Sequence, residues 1–361
     1  MGAKREADYK GRLRGLRTLL GDKLDALLVS DLKNARYLSG FTGSNAFIIV
    51  TRDEAFFLTD PRYTAQAGEE VKGFRKRIFR KALDEISALV LEKRIKALGF
   101  EAANLSYATY RKLAKALPKA RLRPAEGLVE RLREKKDPFE VERIRASASL
   151  LDTGFRKAAR LVRAGAIETD AAFSIEADLR RRGAEAMAFD TIIASGARGS
   201  LPHGRASGKR IKKGELVVVD MGVLRDGYNS DETRTFATGR LKPRQREIYG
   251  IAKDAQAAAI NAIRPGARAS DVDGAARKVI ERAGYGKFFG HGTGHGVGLD
   301  IHERPSLGPL SEDVLEEGMV VTIEPGIYLP GYAGVRIEDM ALVTKGGCEL
   351  LTKTPKELVE L

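Results

Sequence analysis

The sequence predicts a mixed α/β (α+β) protein of two domains, and three observations carry that reading. The first is length: 361 residues are more than one hydrophobic core usually serves. The second is alternation, because short β-branched apolar runs interleave with stretches whose apolar residues recur at helical spacing. The third is a charge-dense seam, Arg131–Asp137, just before Pro138. It divides the chain into an expected first domain over 1–128 and a second over 129–361.

Taken in order, Ala26–Ser30, Ala46–Val50 and Ala55–Thr59 are short apolar runs and predict strands. Gly40, Gly43 and Ser44 form a turn cluster between the first two. Tyr107–Leu117 predicts a helix. Pro138 can open a long helix, since the first turn does not need its missing N–H. Val141, Ile144, Leu151, Phe155 and Val162 then recur near helical spacing, up to Ala164–Gly165. Thr169 is expected to cap a second helix that ends at Gly183. Leu216–Asp220 is an apolar run ending in an acid, the pattern of a buried strand with a polar tip. Pro243–Ile263 predicts a helix, and Ser270 is expected to cap another, with Val272, Ala276, Ile280 and Ala283 on one face. Strands are expected again at Val320–Ile323 and Val335–Val343. No solenoid repeat or low-complexity segment interrupts this pattern.

Composition excludes several classes. Hydrophobic residues make up 43%, enough for a packed core. No apolar run approaches the roughly 18 residues of a membrane span. Met1–Arg17 is polar and charged, unlike the apolar stretch of a signal peptide. The only cysteine, Cys348, cannot form an internal disulfide, so a reducing cytoplasm is expected. The net charge is +14, and residues 1–130 hold 26 Lys and Arg against 16 Asp and Glu. Arg75, Lys76, Arg77, Arg80 and Lys81 are its densest stretch. No nucleic-acid motif accompanies them, so a solvated basic face is expected rather than a polyanion site, with neither nucleic acid nor membrane as partner.

The chemistry gathers after the seam. Of four histidines, His291, His295 and His302 fall within twelve residues, and His203 stands apart. His291 and His295 are four apart, as in helical metal sites, but glycine occupies 290, 292, 294, 296 and 298. Alternating glycine disfavours a helix and suits an extended chain that other backbones approach closely. Two residues four apart in an extended chain share a face. Asp220, Glu324 and Glu338 lie in or beside runs rich in Val and Ile, and Asp231 follows Asp220 by eleven residues, in Tyr228-Asn-Ser-Asp-Glu-Thr-Arg-Thr-Phe236. Buried carboxylates need a cation or a donor network. Four carboxylates and one imidazole form a hard anionic set suited to Mn, Co or Zn. Their charge exceeds the need of one divalent ion, so two bridged ions are expected.

On these residues the chain resembles the pita-bread metallopeptidases: methionine aminopeptidase, prolidase and aminopeptidase P. The shared order is Asp, Asp, His, Glu, Glu. It is filled here by Asp220 in Val-Asp-Met-Gly, Asp231 in Ser-Asp-Glu-Thr-Arg-Thr and His295 in Gly-His-Gly-Val-Gly. Glu324 in Ile-Glu-Pro-Gly-Ile-Tyr and Glu338 in Val-Arg-Ile-Glu-Asp complete it. The resemblance implies that Asp220 chelates one ion, that His295 and Glu324 bind the other, and that Asp231 and Glu338 bridge. Tyr37-Leu-Ser-Gly-Phe-Thr-Gly-Ser44 and Leu58-Thr-Asp-Pro-Arg-Tyr63 look like the creatinase-type N-terminal domain. Methionine aminopeptidases generally lack that domain, and the proline-directed branch has it. Creatinase shares the fold but lacks the metal ligands.

The implied protein is therefore a creatinase-type N-terminal α/β domain followed by a pita-bread catalytic domain, pseudo-symmetric with helices outside a curved sheet. The implied activity is hydrolysis of the bond before proline in dipeptides or short peptides, as an Xaa-Pro dipeptidase or an Xaa-Pro aminopeptidase. Two divalent ions, Mn foremost, serve as cofactors, and a proline-containing peptide is the substrate. A homodimer is implied as well. His203, His291, His302, Glu324 and Arg336 match catalytic positions, and Tyr328 a substrate-binding one. Glu324 would relay a proton to the leaving nitrogen, His302 or His291 would donate to the oxyanion, and His203 would help hold the proline end. The alternative is a pita-bread protein that has lost its metals and binds proteins or nucleic acid, which the +14 charge would suit. The complete ligand set argues against it.

Overall fold

The apolar runs of the first third lie side by side in one six-stranded sheet. Its order is Arg75–Ile78, Ala55–Thr59, Ala46–Thr51, Ala26–Val29, Ala97–Glu101 and Arg121–Ala125. The computed structural model describes residues 6–358, and it divides into two units, Met1–Arg133 and Glu134–Leu361.

In the first unit, Ala26–Val29 runs antiparallel to Ala46–Thr51, with Leu28 opposite Ile49, and parallel to Ala97–Glu101. Parallel neighbours need a crossover. Helix Thr64–Glu70 supplies one between Ala55–Thr59 and Arg75–Ile78, and helix Tyr107–Ala116 another between the last two strands. Leu28, Ile49, Phe56, Leu58, Ile86, Leu89 and Leu113 fill the core beneath. The basic stretch forms an edge strand. Arg75 and Lys76 are exposed there, and Arg75 and Arg77 pair with Glu54 and Glu92, each at 2.6 Å. Charge along an edge discourages pairing with another chain.

The second unit builds the same plan twice. Helices Pro138–Leu161 and Glu168–Arg181 bury Leu151, Phe155, Ile175 and Leu179 against Val217 and Val219 of strand Leu216–Met221. Helices Pro243–Ala262 and Ala269–Arg282 bury Ile248, Ala252, Val272 and Ala276 in a cluster with Val321, Ile323 and Ala341. The first sheet runs Glu232–Ala237, Leu216–Met221, Ile192–Ser195. The second runs Glu303–Leu307, Gly294–Gly296, Val320–Ile323, Asp339–Thr344, Gly347–Leu350. Asp137 opens the first helix with a capping box: its side chain accepts from the N–H groups of Phe139 and Glu140, and Glu140 reaches back.

Three expectations are corrected. Neither Thr169 nor Ser270 is a cap; both lie inside their helices, which are entered from Ile167 and Arg268. Backbone takes the place of a side-chain cap. Ile167 bridges Arg210 and Arg268 bridges Val314, and the N–H groups of Glu168, Thr169 and Ala269 find carbonyls of Lys209, Ser207 and Asp313. Nor is Val335–Val343 one strand. Ala333–Arg336 pairs with Gly326–Leu329, Asp339–Thr344 joins the second sheet, and the chain breaks at Ile337 and Glu338. The break arises because the Glu338 N–H leaves its own sheet and donates to the Thr233 carbonyl.

Candidate metal centre

Local structure delivers the predicted residues to one cleft of about 690 Å³ in the second unit, except Tyr328, which is buried outside its lining. Asp220 sits near the end of strand Leu216–Met221, opposite Thr233 in the ladder. Asp231 immediately precedes strand Glu232–Ala237. Glu338 stands at the break just described, and Glu324 follows strand Val320–Ile323, its N–H donating to the Thr293 carbonyl. His295 is the middle residue of Gly294–Gly296. The flanking glycines are steric requirements. A Cβ on Gly294 would lie 1.9 Å from the Thr322 carbonyl oxygen, and one on Gly296 2.2 Å from that of Arg304. His203, His291, His302 and Arg336 line the same cleft, with Phe189 and Ile192 among its apolar wall.

Ligand atoms of Asp231, His295 and Glu338 lie within 4.8 Å of one another. His295 Nε2 is 3.6 Å from Asp231 Oδ2 and 3.5 Å from Glu324 Oε1. His295 Nδ1 is 3.1 Å from the Gly296 carbonyl. A carbonyl only accepts, so Nδ1 carries the proton and Nε2 turns its lone pair towards two carboxylates. Burial, followed by the neighbouring His302, lowers the His295 pKa to about 4. The ring is therefore neutral at pH 7, and its lone pair faces negative oxygens.

The carboxylates are equally unbalanced. Burial raises Asp231 and Glu338 well above the usual range, and mutual repulsion adds to it: chiefly Glu338 and Asp220 act on Asp231, and Glu324 and Asp220 on Glu338. Burial also raises Glu324, to about 7. Two buried oxygens, Asp220 Oδ1 and Glu338 Oε1, have no hydrogen-bond partner among the described residues. Orphaned buried acceptors carry a large desolvation cost. An imidazole lone pair, clustered carboxylates and orphaned oxygens together fit divalent cations, and their oxygen-rich chemistry suits hard ions.

Arg336 is the cation already present. It is buried and donates from Nη2 to Asp220 Oδ2 at 2.5 Å, from Nε to Thr233 Oγ1 at 3.0 Å, and from Nη1 to the Pro202 carbonyl and the Tyr328 hydroxyl, both at 2.9 Å. The Tyr328 hydroxyl also lies 2.9 Å from His291 Nε2, while His291 Nδ1 lies 2.7 Å from the Gly292 carbonyl. Both ring nitrogens of His291 are thus engaged, and burial lowers its pKa to about 4. His302 instead packs edge-on against His295, ring centroids 4.2 Å apart, with no side-chain hydrogen bond among the described residues. His302 and His203 are exposed to the cleft.

Sequence reasoning missed the supports. Thr233 Oγ1 donates to Glu338 Oε2 at 2.7 Å while accepting from Arg336. Thr322 Oγ1 accepts from the His295 N–H at 3.0 Å. Asp273 accepts from the N–H and hydroxyl of Thr293 and fixes Arg277, which donates to the carbonyls of Phe289 and His291. Only the four-residue spacing of Asp273 and Arg277 was visible beforehand.

The chain is similar to known peptidases along nearly its whole length. The model described as "Metallopeptidase family M24" matches residues 142–345, and that of the "Creatinase/Prolidase N-terminal domain" matches residues 12–135. An uncharacterized peptidase of Bacillus subtilis, YqhT, is 42% identical over 97% of this chain and all of its own length. An Xaa-Pro dipeptidase of Pyrococcus horikoshii is 39% identical over 94% of this chain and 95% of its own. The solved structure of an Xaa-Pro dipeptidase from Bacillus anthracis superposes with a TM-score of 0.96 at 39% identity, covering 98% of this chain and 100% of that one.

Proposed function

Because the chain belongs to metallopeptidase family M24, with a creatinase/prolidase N-terminal domain ahead of the catalytic one, we propose that it hydrolyses the peptide bond before proline, acting foremost as an Xaa-Pro dipeptidase. One observation carries the metallopeptidase chemistry: the neutral His295 presents Nε2 to Asp231 and Glu324 inside a cluster of buried carboxylates. The proline preference is supported by relatives named Xaa-Pro dipeptidase that match nearly the whole chain.

Asp220, Asp231, His295, Glu324 and Glu338 would hold two divalent ions, with Mn the proposed metal and Co or Zn its competitors. When bound, such ions activate water and polarise the scissile carbonyl. The remaining work falls to the chain itself. Glu324, raised by burial, takes the proton of the attacking water and returns it to the leaving nitrogen, which is tertiary and needs protonation for expulsion. His302 has an uncommitted ring and donates to the developing oxyanion. His291, held between Gly292 and Tyr328, is the lesser candidate for that role. His203, exposed in the cleft lining, steadies the proline end. Arg336 and Tyr328 act by position, holding Asp220 and His291.

The test is a side-by-side rate measurement on Ala-Pro and Ala-Pro-Ala with added Mn²⁺. Faster cleavage of Ala-Pro is expected. Preference for Ala-Pro-Ala would replace the dipeptidase reading with aminopeptidase P, and inertness towards both by metal-loaded protein would end the proline-directed reading. We place the enzyme in a reducing cytoplasm, consistent with its single unpaired Cys348, and as a homodimer. A monomeric mass in light scattering at micromolar concentration would refute the dimer. No helix among the described residues is long and apolar enough to cross a membrane.

A further inference from the structure

The charged seam that marks the start of the second unit contains a residue that is not at the surface. Lys136 stands next to the cap Asp137, yet its side chain is only 1% exposed. Its Nζ lies 2.7 Å from Glu303 Oε1 and donates to the Glu134 carbonyl at 3.1 Å. Its backbone N–H donates to the Gly318 carbonyl, and the neighbouring Lys135 bridges Met319. The ammonium is therefore held at both ends of its side chain, and a lysine seldom gives up its hydration without a partner that matters.

That partner is the residue after His302. Glu303 Oε2 also accepts from the Asp300 N–H at 3.3 Å, and a Cβ on Gly298 would lie 2.4 Å from Glu303 Oε1. Asn229 pins the other end of the same loop, its Nδ2 donating to the carbonyls of Gly298 and Leu299, each at 3.0 Å. The His302 ring has no such restraint of its own beyond its contact with His295. Its place in the cleft is set by its loop, and the loop is set by Asn229 and the Lys136–Glu303 pair.

We propose that Lys136, acting through Glu303, is a positioning residue for His302. The inference rests on the proposed role of His302 as donor to the transition state. A donor displaced by about 1 Å loses much of its effect on rate, while Asp220, Asp231, Glu324 and Glu338, which stand on other segments of the chain, keep their places. Loss of the pair should therefore lower kcat and leave KM and metal content unchanged.

The test is a double-mutant cycle of Lys136→Met and His302→Ala, read as kcat, KM and bound metal on the same metal-loaded samples. Lys136→Met alone should lower kcat about tenfold with KM and metal content intact. In the His302→Ala background the same substitution should change kcat by less than about twofold. An equal drop in both backgrounds, or no drop in the first, would overturn the proposal. If Lys136→Met does not fold, the combined Lys136→Met/Glu303→Gln variant replaces it, with the same expectations. Should His302→Ala by itself retain full turnover, the reading of His302 as a donor fails first, and that outcome is visible in the same data.

Discussion

Arg336 holds one oxygen of Asp220 at 2.5 Å and leaves the other, Oδ1, buried without a hydrogen-bond partner. Through Nε it also engages Thr233, whose hydroxyl holds one oxygen of Glu338 and leaves that residue's Oε1 equally unpartnered. A single guanidinium thus fixes two carboxylates by one oxygen each and offers the remaining two to whatever occupies the centre.

Arg336→Met should destabilise the metal-free protein strongly. It removes the buried cation among four carboxylates and leaves Asp220 unpaired, a change that typically costs about 3–5 kcal/mol. Thermal unfolding in EDTA should show a large fall in Tm, and excess Mn²⁺ should recover part of it. An unchanged Tm in EDTA would mean that the Arg336–Asp220 pair does not stabilise the metal-free protein.

Thr233→Val keeps the shape of the side chain and deletes the hydroxyl. Second-layer partners of metal ligands typically contribute about 10–100-fold in affinity, and a loss in that range is expected by calorimetric titration with Mn²⁺. Thr233→Ser, which restores the hydroxyl, should recover it. Equal affinity for the Val variant and the parent would remove Thr233 from the centre.

The histidines separate by role. His295→Ala should purify with less metal and respond only partly to added Mn²⁺. His302→Ala should keep its metal and lose about 10²–10³ in turnover, the usual effect of removing one oxyanion donor. Metal analysis and turnover on the same sample check both. A His302 variant as poor in metal as the His295 variant would call for a centre richer in histidine.

Metal removal should make stability pH-dependent in a defined direction. Burial raises Glu324 from 4.5 to about 7, and raises Asp231 and Glu338 as well. An acid with a raised folded pKa favours the folded state at low pH; that contribution is complete below the unfolded value and is lost as pH rises through the folded one. The gap in Tm between Mn²⁺-loaded and EDTA-treated protein should therefore widen from about pH 4.5 to pH 7. A gap independent of pH in that window would show that burial does not raise these acids in the metal-free protein.

The sequence alone determined most of the elements and pointed to residues that the fold gathers in one cleft. Leu216–Asp220 and Val320–Ile323 are apolar runs ended by acids, and solvent exclusion makes such a pattern a buried strand with a charged tip whatever surrounds it. The alternating glycines around His295 required an extended chain under close backbone approach, and the neighbouring Thr322 and Arg304 carbonyls supply it. What the sequence could not express is pairing between distant residues. Thr169 and Ser270 have the chemistry of caps, but the segments around Lys209 and Asp313 satisfy those N–H groups first. Val335–Val343 has the composition of one strand, yet the Thr233 carbonyl draws the Glu338 N–H away and divides it. Only the tertiary structure could place Thr233 between Arg336 and Glu338, or bury Lys136 against Glu303. Local propensity acts over a few residues, whereas desolvation of a charge is decided by whichever remote partner the fold brings within hydrogen-bond distance.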